Sequence, residues 1–127
     1  GHTACVSVLV ASHVDTETKD NNGATPLHFA VMYGYRECAQ ELLMGGADVD
    51  AIDNEGATPL HFAASMRQFD CLMVLLTGGA DKDAKDGDGC SPLLVAAQNG
   101  HLACIRELLV RGADSEARDG QGFSPRD

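Results

Sequence analysis

Tryptophan is absent from the 127 residues, which hold only two tyrosines and four phenylalanines. A core must therefore come mainly from Leu, Ala, Val and Cys, and at 44% hydrophobic residues there is enough apolar surface to bury one continuously. Basic residues are scarce as well, nine against 19 acidic ones, for a net charge of −10. The acidic residues recur along the whole length instead of forming one tail. That field repels phosphate backbones and anionic membrane surfaces, so neither nucleic acid nor membrane is an expected partner. It attracts basic partners. No apolar run approaches the length of a transmembrane helix, and no secretory signal is visible. The chain opens on Gly1, so a fragment or a processed chain is expected. No Cys-x-x-Cys pair suggests zinc, no glycine-rich loop suggests phosphate, and no nucleophile sits in a recognisable arrangement with a base. Neither catalysis, nor a cofactor, nor a metal is expected.

What the sequence does have is a period. Thr25-Pro26-Leu27-His28-Phe29-Ala30 returns as Thr58-Pro59-Leu60-His61-Phe62-Ala63, and in weaker form as Ser91-Pro92-Leu93-Leu94-Val95-Ala96, each time 33 residues on. Leu42-Leu43, Leu75-Leu76 and Leu108-Leu109 keep the same offset, and so do Gly46-Ala47-Asp48, Gly79-Ala80-Asp81 and Gly112-Ala113-Asp114. Recurrence at this interval is the mark of a repeat architecture. It divides a single domain, 1–127, into full units Asp20–Ile52, Asp53–Lys85 and Asp86–Arg118, with partial units Gly1–Lys19 and Asp119–Asp127 at the ends.

The local signals within a unit agree. Thr25 suits an N-cap and Pro26 the first helical position. Leu27, Ala30 and Val31 then share one helical face, and Gly34 closes the helix. A second helix is predicted from about Arg36 to Met44, with Cys38 and Leu42 on one stripe and Ala39 and Leu43 beside it. Gly45-Gly46 ends it. Ala47 to Gly56 is rich in Asp, Asn and Gly, and reads as an extended loop with a tight turn. Isolated helices shorter than roughly 12–15 residues are marginal in water. These must stack on copies of themselves, giving a quasi-one-dimensional solenoid.

The Thr-Pro-Leu-His segments, the Leu-Leu pairs and the Gly-Ala-Asp segments together resemble the ankyrin-repeat family along essentially the whole chain. The resemblance implies an all-α solenoid of stacked helix-turn-helix units with β-hairpin-like loops, and a concave groove between the loop tips and the first helices. It also implies that His28 and His61 tie their own Thr to the neighbouring loop. The implied function is non-catalytic protein–protein interaction on the concave face, as an adaptor or the recognition arm of a larger protein. The alternative is a structural spacer, an intramolecular regulatory segment, or a self-associating or engineered scaffold. A monomer is favoured.

Departures from the pattern sharpen the expectations. Leu94 stands in the place of the motif histidine, so packing should replace a hydrogen-bonded link there. Arg67 occupies the inter-helix place of Gly34 and Gly100. If that place needs positive φ, Arg67 is strained or the turn is rebuilt. Arg126 falls where Leu27, Leu60 and Leu93 are buried, so the last segment is a polar end or a cut edge. Cys5, Cys38, Cys71 and Cys104 recur at the repeat interval, and adjacent units are too far apart for disulfides, so they read as small buried side chains. Reduced thiols suit the cytoplasm or nucleus. Cys90 is expected in a turn and exposed, either as a tolerated surface residue or as a reactive thiol. Asp81 to Gly89 looks like a calcium loop only superficially, because the Gly and the final Glu are missing from their places. His2 and His101 share one inter-helix position, and His13 lies in a loop.

The contact places that the resemblance implies are loop tips, first-helix ends and inter-helix turns. They carry Asn21, Asn22, Ala24, Met32, Tyr33 and Tyr35 in the first unit. The second unit offers Ile52, Asn54, Glu55, Ser65, Met66 and Arg67, and the third Lys85, Asp88, Cys90, Gln98 and Asn99, with Arg118 beyond. Met32, Tyr33, Met66 and Arg67 stand out, because Tyr and Arg are enriched at binding hot spots and Met adapts to varied partners.

Overall fold

The computed structural model describes residues 19–114. The expectations for both partial units, and for Cys5, His2, His13, Arg118 and Arg126, lie outside the described residues. Six helices alternate short and long: α1 Pro26–Met32, α2 Arg36–Met44, α3 Pro59–Ser65, α4 Phe69–Thr77, α5 Pro92–Gln98 and α6 Leu102–Val110. No β-strand occurs among the described residues, and the loops are turns.

Each short helix begins in the same way. Thr25, Thr58 and Ser91 are extended N-caps whose side-chain oxygens accept from the N–H of His28, His61 and Leu94, with proline opening the helix. Capping satisfies a donor that the first turn would otherwise leave orphaned, an effect of about 0.5–2 kcal/mol. Each short helix ends before a residue of positive φ: Gly34 at 74°, Arg67 at 62° and Gly100 at 70°. The turn thus keeps its shape and Arg67 accepts the left-handed conformation, where an L side chain costs roughly 1–2 kcal/mol.

The core is one line of repeated positions. Leu27, Leu60 and Leu93 are buried, as are Cys38, Cys71 and Cys104, and Leu42, Leu75 and Leu108. Substantial helix–helix contacts run within a unit (α1 with α2, α3 with α4, α5 with α6) or between neighbours (α1 with α3, α3 with α5, α2 with α4, α4 with α6). None of the described cysteines is in a disulfide. Burial pushes the Cys71 thiol up to about 11, and it raises Cys104 as well. Both therefore stay protonated and unreactive at neutral pH.

The histidine ties are present. His28 Nδ1 accepts from the Thr25 N–H at 3.0 Å and hydroxyl at 2.9 Å, and Nε2–H donates to the Ala57 carbonyl of the next unit at 2.9 Å. His61 repeats this with Thr58 at 3.1 and 2.8 Å, reaching the Cys90 carbonyl at 2.7 Å. Because the backbone N–H occupies Nδ1 as a donor, each ring is neutral with its proton on Nε2. Leu94 is fully buried in the equivalent place, where packing replaces the polar link.

Candidate functional site

The loops are built by carboxylates turned onto backbone. Asp20 Oδ1 accepts from the Asn22 and Ala24 N–H groups at 2.8 and 2.9 Å. Asp53 Oδ1 does the same for Glu55 and Ala57, and Asp86 Oδ1 for Asp88 and Cys90, all at 2.9 Å. These are Asx turns, in which a short side chain stands in for a backbone acceptor. Asp86 Oδ1 thereby holds its own loop, and among the described residues no group of His, Cys, Asp and Glu side chains is placed to hold a metal.

Successive loops are then stitched together. The Asn54 N–H donates to the Asn22 carbonyl at 2.9 Å and the Gly87 N–H to the Glu55 carbonyl at 2.7 Å. A Cβ on Gly56 would lie 2.8 Å from the Gly87 nitrogen, so only glycine lets the two backbones approach. The loop tips therefore form a continuous wall facing the short helices.

Between that wall and α1 and α3 lies a groove of about 300 Å³, lined by Asp20, Asn22, Ala24, Phe29, Met32, Asp53, Asn54, Glu55 and Phe62. It brings together five of the contact residues expected from the sequence: Asn22, Ala24, Met32, Asn54 and Glu55. Asn54 is partly scaffold, because its amide donates to the Asn21 carbonyl at 3.1 Å. Phe29 and Phe62 were not expected here. Phe29 is 38% exposed, and Phe62 meets the buried His28 ring edge-to-face, with centroids 5.0 Å apart. The signal was in the motif: Phe29 falls off the Leu27, Ala30, Val31 stripe, so a helical projection turns it away from the core.

Other expected residues sit elsewhere. Tyr33 is exposed and stacks on Tyr35, ring centroids 5.9 Å apart, while Tyr35 itself packs against the core. Met66 and Ser65 are exposed at the end of α3, and Asn21, Asp88 and Gln98 are exposed too. The Asn99 amide donates to the Val95 carbonyl at 2.8 Å, closing its own helix. Arg67 lines a different hollow, of about 270 Å³, with Phe69, Gly100, His101, Leu102, Ala103 and Cys104. A third and shallower depression, of about 720 Å³, lies on the opposite face between α2 and α4.

Two expectations are corrected. Cys90 is buried, with 8% of its surface exposed, because Asp86 draws its N–H inward and His61 takes its carbonyl. It is therefore neither a surface residue nor an accessible thiol. Ala24 is buried by the matching Asp20 bond, so its side chain offers little for contact. One kind of scaffold link was not anticipated. Gln68 Nε2 donates to the Met32 carbonyl at 3.3 Å, and His101 Nδ1 donates to the Ala64 carbonyl at 2.7 Å. The inter-helix position thus ties the second and third units back to the ones before them.

A family model described as ankyrin repeats (3 copies) matches residues 1–86 and 37–119. The chain belongs to the ankyrin-repeat family. Its three described repeats account for the helix pairs, the histidine ties and the loop wall. Ankyrin repeats are non-catalytic modules that generally mediate protein–protein interaction. No curated protein matches the sequence.

Proposed function

We propose that this ankyrin array grips a peptide, or an extended edge of a folded protein, along its concave face, as an adaptor or the recognition arm of a larger protein. One observation carries the reading: the groove between loop tips and short helices leaves Phe29 partly exposed on a floor where the core has no use for it. Aromatic side chains, Phe among them, are enriched at the centres of protein–protein interfaces. Arg67, in the separate hollow at the inter-helix turns, offers a second contact point. A left-handed arginine stands where the other two repeats use glycine, and backbone strain of this kind clusters at functional sites. Met66, 49% exposed, and Tyr33, 59% exposed, extend the surface along the helix ends.

The acidic surface favours a basic partner. Cysteines held as buried thiols suit a reducing setting, cytosolic or nuclear. Affinity capture with the wild type and with a Tyr33/Met66/Arg67→Ala triple variant, run in parallel, tests the face. Proteins retained by the wild type should be lost from the variant while its melting temperature stays nearly unchanged. Identical retention by both would show that the face is misassigned.

A second reading, self-association, rests on α6, where Leu102 is 65%, Leu109 43% and Val110 81% exposed. Sedimentation decides it: a monomer at high concentration rules it out.

A further inference from the structure

We propose that the concave groove takes an arginine side chain of the partner as its anchor. This rests on the concave-face reading and adds the chemistry of what enters.

The charge of the groove distinguishes it from the other two hollows. Its rim carries Asp20, Asp53 and Glu55, and no lining residue is cationic. The hollow at the inter-helix turns carries Arg67 and His101 with no carboxylate, and the depression on the opposite face mixes Arg36 with Glu41 and Asp70. Of the three, the groove alone presents purely acidic charge over an apolar floor, formed by Phe29, Met32 and Phe62.

The carboxylates retain capacity to bind. Asp20 and Asp53 spend Oδ1 on their own loops, and among the described residues Oδ2 of each makes no hydrogen bond. The Glu55 side chain is exposed, with no ion pair among the described residues. The nearby Lys19 forms no ion pair with them among the described residues, its ammonium donating to the Ile52 carbonyl at 3.2 Å.

Arginine fits this combination better than lysine. Its planar guanidinium lies flat on an aromatic face, presents forked donors to carboxylates, and sheds water more readily than a compact ammonium. At about 300 Å³ the groove sits at the small end of ligand pockets, roughly 300–1,000 Å³, which suits one long side chain and its neighbours.

The test uses the full chain as bait for a phage-displayed library of random peptides. Selected peptides are then mapped by amide chemical-shift changes. They should share an arginine and perturb the amides of Phe29, Glu55 and Phe62. Replacing that arginine with citrulline, its neutral isostere, should weaken binding about tenfold. The Asp20→Asn and Glu55→Gln variants should each bind the arginine peptide several-fold less tightly and discriminate less between the arginine and citrulline forms. In Asp20→Asn the amide oxygen takes over the loop-holding bonds, so the fold should survive and the melting temperature should hold. Peptides that map to the groove without a shared basic residue would overturn the arginine anchor and leave the concave-face reading standing. Peptides that map elsewhere, or a library that yields no binder, would overturn both.

Discussion

Replacing His61 with leucine asks how much the histidine tie holds, and the third repeat supplies the control, because Leu94 already occupies that place. The Thr58 hydroxyl still accepts from the N–H of residue 61, just as Ser91 Oγ accepts from Leu94 at 3.2 Å, so the helix cap survives. The Cys90 carbonyl keeps the Asp86 N–H at 2.9 Å and is not orphaned. The buried Thr58 N–H loses its acceptor, which costs about 1–3 kcal/mol, and the lost link between repeats adds about 1 kcal/mol. Greater apolar burial by leucine returns part of this, leaving a net loss of about 2 kcal/mol. For a chain of this size that lowers the melting temperature by roughly 10 °C. Differential scanning calorimetry reads the shift, and hydrogen exchange locates it. The Asp86 amide should exchange faster, while the Asp53 amide, which donates to the Ala57 carbonyl beside the intact His28, keeps its protection. A drop of less than about 2 °C, or equal loss of protection at both amides, would refute the idea that each histidine holds its own junction.

Three further outcomes follow from the same geometry. Arg67→Gly should stabilise the array by about 1 kcal/mol in urea melts, since glycine relieves the positive φ at the cost of a freer unfolded chain; unchanged stability would mean that Arg67 is unstrained. The pKa of His28 is lowered, chiefly by burial, so the unfolded chain binds a proton that the folded chain resists. Its contribution should be complete above the ordinary histidine value of about 6.5 and decline as pH falls below it; urea midpoints at about pH 7.5 and 5.5 with and without His28→Leu should differ in slope accordingly. In a Cys5→Ser background, a thiol reagent should label Cys38, Cys71, Cys90 and Cys104 only as fast as the protein opens; rapid labelling of Cys90 in the native state would contradict its burial.

Much was legible in the sequence because a repeat states its grammar three times. The spacing of Leu27, Ala30 and Val31 marked the buried face of a short helix, Thr25 and Pro26 marked its start, and Gly46 its partner's end. The return of Cys38 as Cys71 and Cys104 showed these residues to be packing positions. The strain at Arg67 could be anticipated because Gly34 and Gly100 announced what that turn requires. These are consequences of local backbone preference and helical period, which one chain carries without reference to its neighbours.

Tertiary structure decided the rest, because those features depend on what the adjacent repeat brings alongside. Cys90 looked like a turn residue, and only the bonds from Asp86 and His61 draw it inside. Asn54 looked like a free loop tip, yet its amide is spent on the preceding loop. Phe29 and Phe62 belong to separate repeats, and stacking makes them a common floor beneath Asp20, Asp53 and Glu55. Helical period determines which way a side chain leaves its own helix. What it meets there is set by the rise from one repeat to the next, and that distance exists only once the array has formed.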